Sequence, residues 1–390
     1  MPQPPALSRA TEGLSSSVYT SLLALAQTHA AEIFPLNVGD TYLLPPECAR
    51  SEHLHTKDLP GLHNYAAVQG EPALFDAIVD DFTSRGLPLE RRQIQVTAGA
   101  TSGLDIVCRT LFEPGDEVIV LTPYWPLIRG IVRGSGASMV ELPCFTELRK
   151  PGFDLAAALA SVVSERTAGI YVNHPNNPTG VVLDAREIAV LADFTEAHNL
   201  WLINDAAYEQ LSFEDTPPIP LWTQPALRER TVTAHTFSKC FGMAGARVGF
   251  VHGPERPMAA IGGLQTFATY CAPKPMQHAM ARALRSSEGA SWTESARSAY
   301  AEAALRTSRV LGLPRPQSGT FAFFDTGPFL RAGETPVTWL ERCARAGIVL
   351  TPGAATGEAY ASWARLCFTS VPLNTLDRAL TVLNRALRET

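Results

Sequence analysis

Ile170-Tyr-Val-Asn-His-Pro-Asn-Asn-Pro-Thr-Gly180, followed further on by Trp201-Leu-Ile-Asn-Asp205, decides how the chain is read. Each stretch opens with an unbroken apolar run and ends in polar residues. An unbroken run, rather than an alternating one, marks a strand buried on both faces, as in a parallel sheet covered by helices. Between the two, Asp184 and Glu187 stand three apart as a capping box, and Ile188, Leu191 and Ala192 follow at helical spacing. The order is strand, helix, strand.

The same texture extends outward. Ile94–Thr97, Val118–Leu121, Val232–Ala234 and Val248–Val251 are further short apolar runs bounded by turn residues. From about residue 64 to 252 the alternation predicts a doubly wound α/β domain with a mostly parallel sheet. Residues 257–310 read as helical. From Gly319 onward come the short strands Thr320–Phe324, Ile348–Leu350 and Leu366–Phe368, then a helix over 374–388. This predicts a smaller α+β domain. The expected division is an N-terminal segment, 1–45, joining the small domain, a large domain over 46–275, and a small C-terminal domain over 276–390.

Composition narrows the function classes. The 390 residues hold 32 Lys+Arg against 38 Asp+Glu, a net charge of −6 without the basic clustering that nucleic acid demands. With 46% hydrophobic and 18% charged residues the chain can bury a large core. Seven scattered cysteines, the closest pair being Cys343 and Cys367, form no CxxC knuckle. They fit reduced thiols in a cytoplasm and no metal centre. His53 and His55 read as solvated loop histidines. Gly13–Ala31 carries no charge, but its Ser, Thr, Gln and His residues are too polar for a membrane span, and only Arg9 precedes it, against a signal peptide. A helix packing Leu22, Leu23, Leu25 and Ala26 inward is expected instead.

Ligands of such a sheet sit where strands end, so the residues after each run carry the functional reading. Ala98-Gly-Ala-Thr-Ser-Gly103 before a helix is either an anion cradle or a plain tight turn. Thr122-Pro-Tyr-Trp-Pro126 offers an aromatic face, to a ligand or to the core. Asn173–Gly180 is a rigid, hydrogen-bonding loop. Asp205 ends a buried strand and either needs a cationic or donor partner or caps the next helix. Lys239, in His235-Thr-Phe-Ser-Lys239, is either a snorkelling cation or a desolvated amine that attacks carbonyls. An anion cradle, an aromatic plate, an Asn loop, an acid with a nearby Tyr208 and a Lys239–Arg247 pair together match what a pyridoxal phosphate site requires.

With these residues in order, the chain resembles the fold-type I, pyridoxal-phosphate-dependent aminotransferases of class I/II, over nearly its whole length. The resemblance is carried by Gly39, Tyr65, Gly99-Ala-Thr101, Trp125, Asn177-Pro-Thr-Gly180, Asp205, Tyr208, Ser238-Lys239, Arg247 and Arg365. It implies pyridoxal 5′-phosphate held as a Schiff base on Lys239, which would also move the proton at Cα. Asp205 would pair with the pyridine nitrogen, and Tyr208 and Asn177 with the ring's phenolic oxygen. Trp125 would stack on the ring. Arg247, Thr236 and the backbone of Ala100 and Thr101 would bind the phosphate. Tyr65 would reach the neighbouring subunit's phosphate, implying a homodimer with a shared site. Arg365, with Gly39 and Asn177, would bind the substrate carboxylate.

The activity so implied is ping-pong transfer of an amino group from an L-amino acid to a 2-oxo acid in the cytoplasm, with no membrane contact. The alternative is a lyase, racemase, decarboxylase or cyclase sharing the same cofactor. Ala206 and Ala207 stand where an acidic residue often follows the strand-ending Asp. Gly39-Asp-Thr-Tyr-Leu-Leu-Pro-Pro46, which borders the side chain of the substrate, also departs from the common pattern. Arg129, Arg50 and Lys274 are the candidates for a second cation should the substrate be acidic.

Overall fold

The computed structural model describes Pro5, Thr11 and residues 20–388. α1 (Thr20–His29) buries Leu22 and Ala26, with Leu23 and Leu25 packed beside them. Residues 13–19 of that uncharged segment lie outside the described residues. Among the described residues no helix is long and apolar enough to cross a membrane. β1 (Phe34–Pro35) runs parallel to β10 (Ile348–Val349), tying the N-terminal stretch to the C-terminal part of the chain.

Seven strands form the main sheet: β2 (Ile94–Thr97), β3 (Glu117–Thr122), β4 (Ser138–Pro143), β5 (Thr167–Asn173), β6 (Trp201–Asp205), β7 (Thr231–Thr236) and β8 (Gly249–His252). Their order is β2-β8-β7-β6-β5-β3-β4. All neighbours are parallel except those of β8, which is antiparallel to both β2 and β7. Every strand but β4 was legible as an apolar run. β4 is an edge strand, and its Ser138-Met-Val-Glu-Leu-Pro143 mixes exposed and half-buried residues, so the sequence pattern is broken there.

Helices cover both faces. α3 (Gly99–Leu111), α4 (Ile128–Gly134) and α8 (Glu255–Ala268) press Leu104, Val107, Ile128 and Ile261 onto Val118, Val120, Ile203 and Val232. α5 (Leu155–Ala160) and α6 (Ala185–Ala197) cover the other face with Leu159, Ile188 and Leu191. Each aliphatic side chain so withdrawn from water contributes about 2 kcal/mol. α6 starts as its sequence foretold: Asp184 accepts from the Glu187 N–H at 2.9 Å, and Glu187 accepts from the Asp184 N–H at 2.8 Å. α2 (Pro72–Ser84) and α9 (Lys274–Arg285) close the β2 end of the sheet through Leu74, Ile78 and Met280.

The C-terminal part packs α10 (Ser287–Leu311), α11 (Pro336–Arg345) and α12 (Leu373–Arg388) on an antiparallel sheet. Its order is β11-β12-β9: β11 (Thr351–Pro352), β12 (Trp363–Cys367) and β9 (Phe321–Asp325). Trp339 and Phe324, both fully buried, form its centre.

Candidate active site

β5, β6 and β7 all end at one edge of the main sheet. Because β8 runs the opposite way, it begins at that same edge, with Gly249 opposite both Thr97 and Thr236. The start of α3, the end of β6, the short helix α7 (Phe237–Cys240) and the turn before β8 therefore converge. They enclose a cavity lined by Thr101, Trp125, Asn177, Asp205, Tyr208, Thr236, Lys239 and Arg247. The topology thus gathers residues far apart in sequence.

Asp205 is buried at the last position of β6. Its Oδ2 accepts the Tyr171 hydroxyl at 2.9 Å and its Oδ1 accepts the Ala207 N–H at 3.2 Å. Burial raises its carboxyl to about 6, while the Tyr171 and Ala207 donors and the charge of Lys239 pull the other way. One strand over, Asn173 links two site residues. Its Nδ2 donates to the Asp205 carbonyl at 2.8 Å, and its Oδ1 accepts the Asn177 N–H at 2.6 Å. Asn176 holds the loop itself, donating to the Pro123 carbonyl at 3.0 Å and accepting from the Thr179 hydroxyl at 2.7 Å.

Lys239 lies in α7, whose N-cap is Thr236, its Oγ1 accepting the Ser238 N–H at 3.1 Å. The Lys239 Nζ donates to the Gly39 carbonyl. Burial lowers its proton affinity and the cations Arg365 and Arg247 add to this, against the attraction of Asp40. Tyr208 is held protonated, chiefly by burial.

At the other end of the cavity, Arg247 has a left-handed backbone (φ 53°), a sparsely populated region for a side-chain-bearing residue. Its Nη1 donates to the Ala244 carbonyl at 2.9 Å. The guanidinium lies beside Gly99, where a Cβ would come within 2.7 Å of Nη2. The φ of 77° at Gly99, a region that residues with a Cβ rarely adopt, is what makes glycine suit the start of α3 against this cation. The N-cap of α3, Ala98, offers no side-chain acceptor, so the first N–H groups of the helix face outward with the dipole behind them.

Arg365, on β12, is buried with its guanidinium 4.2 Å over the Phe321 ring. Nη1 donates to Asn177 Oδ1 at 3.1 Å, and Nη2 donates to the Asn37 carbonyl at 3.1 Å and to Thr351 Oγ1 at 3.2 Å. Nε has no partner. Tyr65, by contrast, is not brought to the cavity of its own chain. It is 81% exposed and meets Tyr270 edge-on with centroids 5.0 Å apart. Of the aromatic pair, Trp125 lines the cavity, whereas Tyr124 is buried with its hydroxyl donating to Glu141 at 2.9 Å. Arg129, Arg50 and Lys274 do not line it. Arg50 donates to the Pro45 carbonyl, Lys274 pairs with Glu71, and Arg129 lines a separate outer groove. His53 and His55 are exposed, and no cluster of metal-binding side chains occurs among the described residues.

Sequence reasoning missed Asn37, Asn173, Thr351, Phe321 and Tyr171. Asn37 and Thr351 act through a carbonyl and a hydroxyl that no local pattern announces. Tyr171 carried a signal, a lone hydroxyl in an apolar run, two residues before Asn173 on the same strand face.

This cavity lies at the carboxyl edge of a mostly parallel α/β sheet, and comparison with known proteins identifies a transferase of nitrogenous groups. The family model "Aminotransferase class I and II" matches residues 31–383. An aspartate/prephenate aminotransferase of Thermus thermophilus is 29% identical over 97% of this chain and 99% of its own length. An arginine–pyruvate transaminase of Pseudomonas aeruginosa is 31% identical over 88% and 87%. A solved double mutant of Thermus thermophilus aspartate aminotransferase superposes with a TM-score of 0.87, at 28% identity, covering 98% of this chain and all of that one. The chain belongs to the class I and II aminotransferases, with the fold of the type I pyridoxal phosphate enzymes.

Proposed function

We propose that this enzyme moves the amino group of an L-amino acid to a 2-oxo acid in two alternating half-reactions at one site, with pyridoxal 5′-phosphate as carrier. The supporting observation is that Lys239, Asp205, Arg247 and the opening of α3 line one cavity. Their chemistry fits that cofactor. A carboxylate suits a ring nitrogen, a phenol and an amide suit a ring hydroxyl, and an amine suits an aldehyde. Uncapped helix N–H groups with a guanidinium suit a phosphate.

Pyridoxal phosphate, when bound, supplies an electron sink for the charge left when Cα loses its proton. The remaining tasks belong to the chain. Lys239, its amine biased towards neutrality by burial, holds the cofactor and then carries the Cα proton. Asp205 holds the ring nitrogen protonated, Tyr208 and Asn177 orient the ring oxygen, and Trp125 covers one ring face. Ala100, Thr101, Thr236 and Arg247 hold the phosphate. Arg365 binds the substrate carboxylate, for which its planar, ring-stacked guanidinium is suited, with Gly39 beside it. Tyr65 serves the site of a second copy in a homodimer, consistent with its exposure.

The named relatives act on aspartate and prephenate in one case and on arginine and pyruvate in another. Aspartate and arginine share the α-amino and α-carboxylate groups, the 2-oxo acids prephenate and pyruvate share the carboxylate, and Arg365 addresses that carboxylate. Loss of amino-donor turnover in Lys239→Ala tests the assignment; wild-type turnover by that variant would falsify it. Product formation should require an added 2-oxo acid, whereas ammonia release without one would favour a lyase.

A further inference from the structure

We propose that Tyr171 is a positioning residue for Asp205, its hydroxyl fixing the carboxylate ionised and oriented towards the ring nitrogen of the cofactor. The assignment rests on the pyridoxal phosphate reading above. β5 and β6 are parallel neighbours with Tyr171 opposite Ile203 and Asn173 opposite Asp205. Side chains two apart on a strand share a face, so Tyr171 and Asp205 lie diagonally on one face, within reach of a long side chain. The phenol is wholly buried and its oxygen lies 2.9 Å from Asp205 Oδ2.

Geometry fixes the direction of this bond. An ionised carboxylate only accepts, so the phenol donates. Tyr171 remains able to do so because burial, reinforced by the nearby acid, keeps its proton on. With Oδ1 receiving the Ala207 N–H, both carboxylate oxygens are pinned from behind, and their remaining lone pairs are left for the cavity side. The titratable groups around the pair are Lys239 on α7, Tyr208 beyond β6 and Cys108 on α3. Lys239 is the one cation among them. Until a ligand cation arrives, Tyr171 is therefore the chief neutral donor opposing the burial that would protonate Asp205. A hydroxyl with this single partner among the described residues, placed among apolar side chains of the sheet, is costly to bury unless the bond serves the acid.

Tyr171→Phe removes one oxygen and keeps the ring. The reporter is carbon-13 NMR of carboxyl-labelled aspartate in cofactor-free protein, with the Asp205 signal assigned by its loss in Asp205→Asn. We expect the Asp205 midpoint to rise by about one pH unit in Tyr171→Phe. It should fall when 3-fluorotyrosine, a stronger donor of nearly the same size, is placed at 171. Pyridoxal phosphate affinity, read from its absorbance, should weaken about ten-fold in Tyr171→Phe. A midpoint and affinity equal to wild type in both substituted proteins would overturn the proposal and leave Tyr171 a packing residue. If the wild-type protein bound no pyridoxal phosphate, the cofactor reading would fail, while the cofactor-free titration would still judge the Tyr171–Asp205 bond.

Discussion

Arg365 Nη1 donates to Asn177 Oδ1 across 3.1 Å, joining the middle strand of the small sheet to the loop that follows β5. That bond, with the Asn37 carbonyl, Thr351 Oγ1 and the Phe321 ring, fixes the guanidinium plane before any substrate arrives. A planar fork so held can meet a carboxylate with little further loss of freedom.

Arg365→Lys keeps the charge but loses the fork and the stack. The Michaelis constant for the amino donor should rise about 100-fold, with a smaller fall in kcat, as expected for loss of binding shared by ground and transition states. Steady-state kinetics with saturating oxo acid measure it. An unchanged constant would remove Arg365 from substrate binding.

Gly39 is tested by Gly39→Ala. Its added Cβ would lie 2.5 Å from Phe321 Cζ, so the ring or the Gly39 backbone must shift. Phe321 carries the Arg365 guanidinium, and the Gly39 carbonyl accepts from Lys239. One methyl group should therefore lower kcat/KM at least ten-fold, while the melting temperature falls by only about 3 °C. Activity near wild type would mean that Phe321 yields without consequence.

How much of this was legible beforehand depends on the kind of interaction. Lys239 and Asp205 could be read because each follows an apolar run, and Arg247 because it stands just before one, the burial of each run on both faces being written locally. The edge strand β4 could not, because only Leu142 of its six residues is buried. Asn173 stood in plain view within the Asn loop, yet its double role comes from the register that sets it opposite Asp205. The partners of Arg365 come from β11 and from the stretch after β1, and no spacing along one strand predicts them. Strand-end chemistry is a local property. The scaffolding of a side chain is a tertiary one.

Three buried histidines make stability depend on pH. Burial lowers His252 to about 3 and His174 to about 4, and drives His235, stacked on Phe250 and His252, well below its usual value. The unfolded chain protonates them near pH 6.5, so it binds more protons than the fold at any lower pH. Their contribution is complete above pH 6.5 and is lost as pH falls towards the folded values. At pH 5 each should cost roughly 2 kcal/mol relative to pH 7.5. Urea unfolding at the two pH values measures the sum, and His252→Phe should flatten the difference. No change between the two pH values would contradict the burial of these rings.

Arg85 holds two acids on the far side of the site. Its Nη1 lies 2.9 Å from Glu209 and its Nη2 2.9 Å from Asp81, with the guanidinium 4.2 Å over the Phe82 ring. Burial raises both carboxyls, and Arg85 opposes it in each case. Arg85→Met preserves much of the stem but strands two like charges, one of them nearly inaccessible. It should destabilise the fold by about 3 kcal/mol at pH 7.5. Without the cation both carboxyls rise further above their unfolded values, so the folded variant takes up protons sooner than its unfolded chain. The stability gap from wild type should therefore narrow as pH falls from 7.5 to 5. Parallel urea titrations of both proteins at each pH separate this from the histidines, which titrate in both. A gap that stayed constant or widened would show that the two acids find other partners.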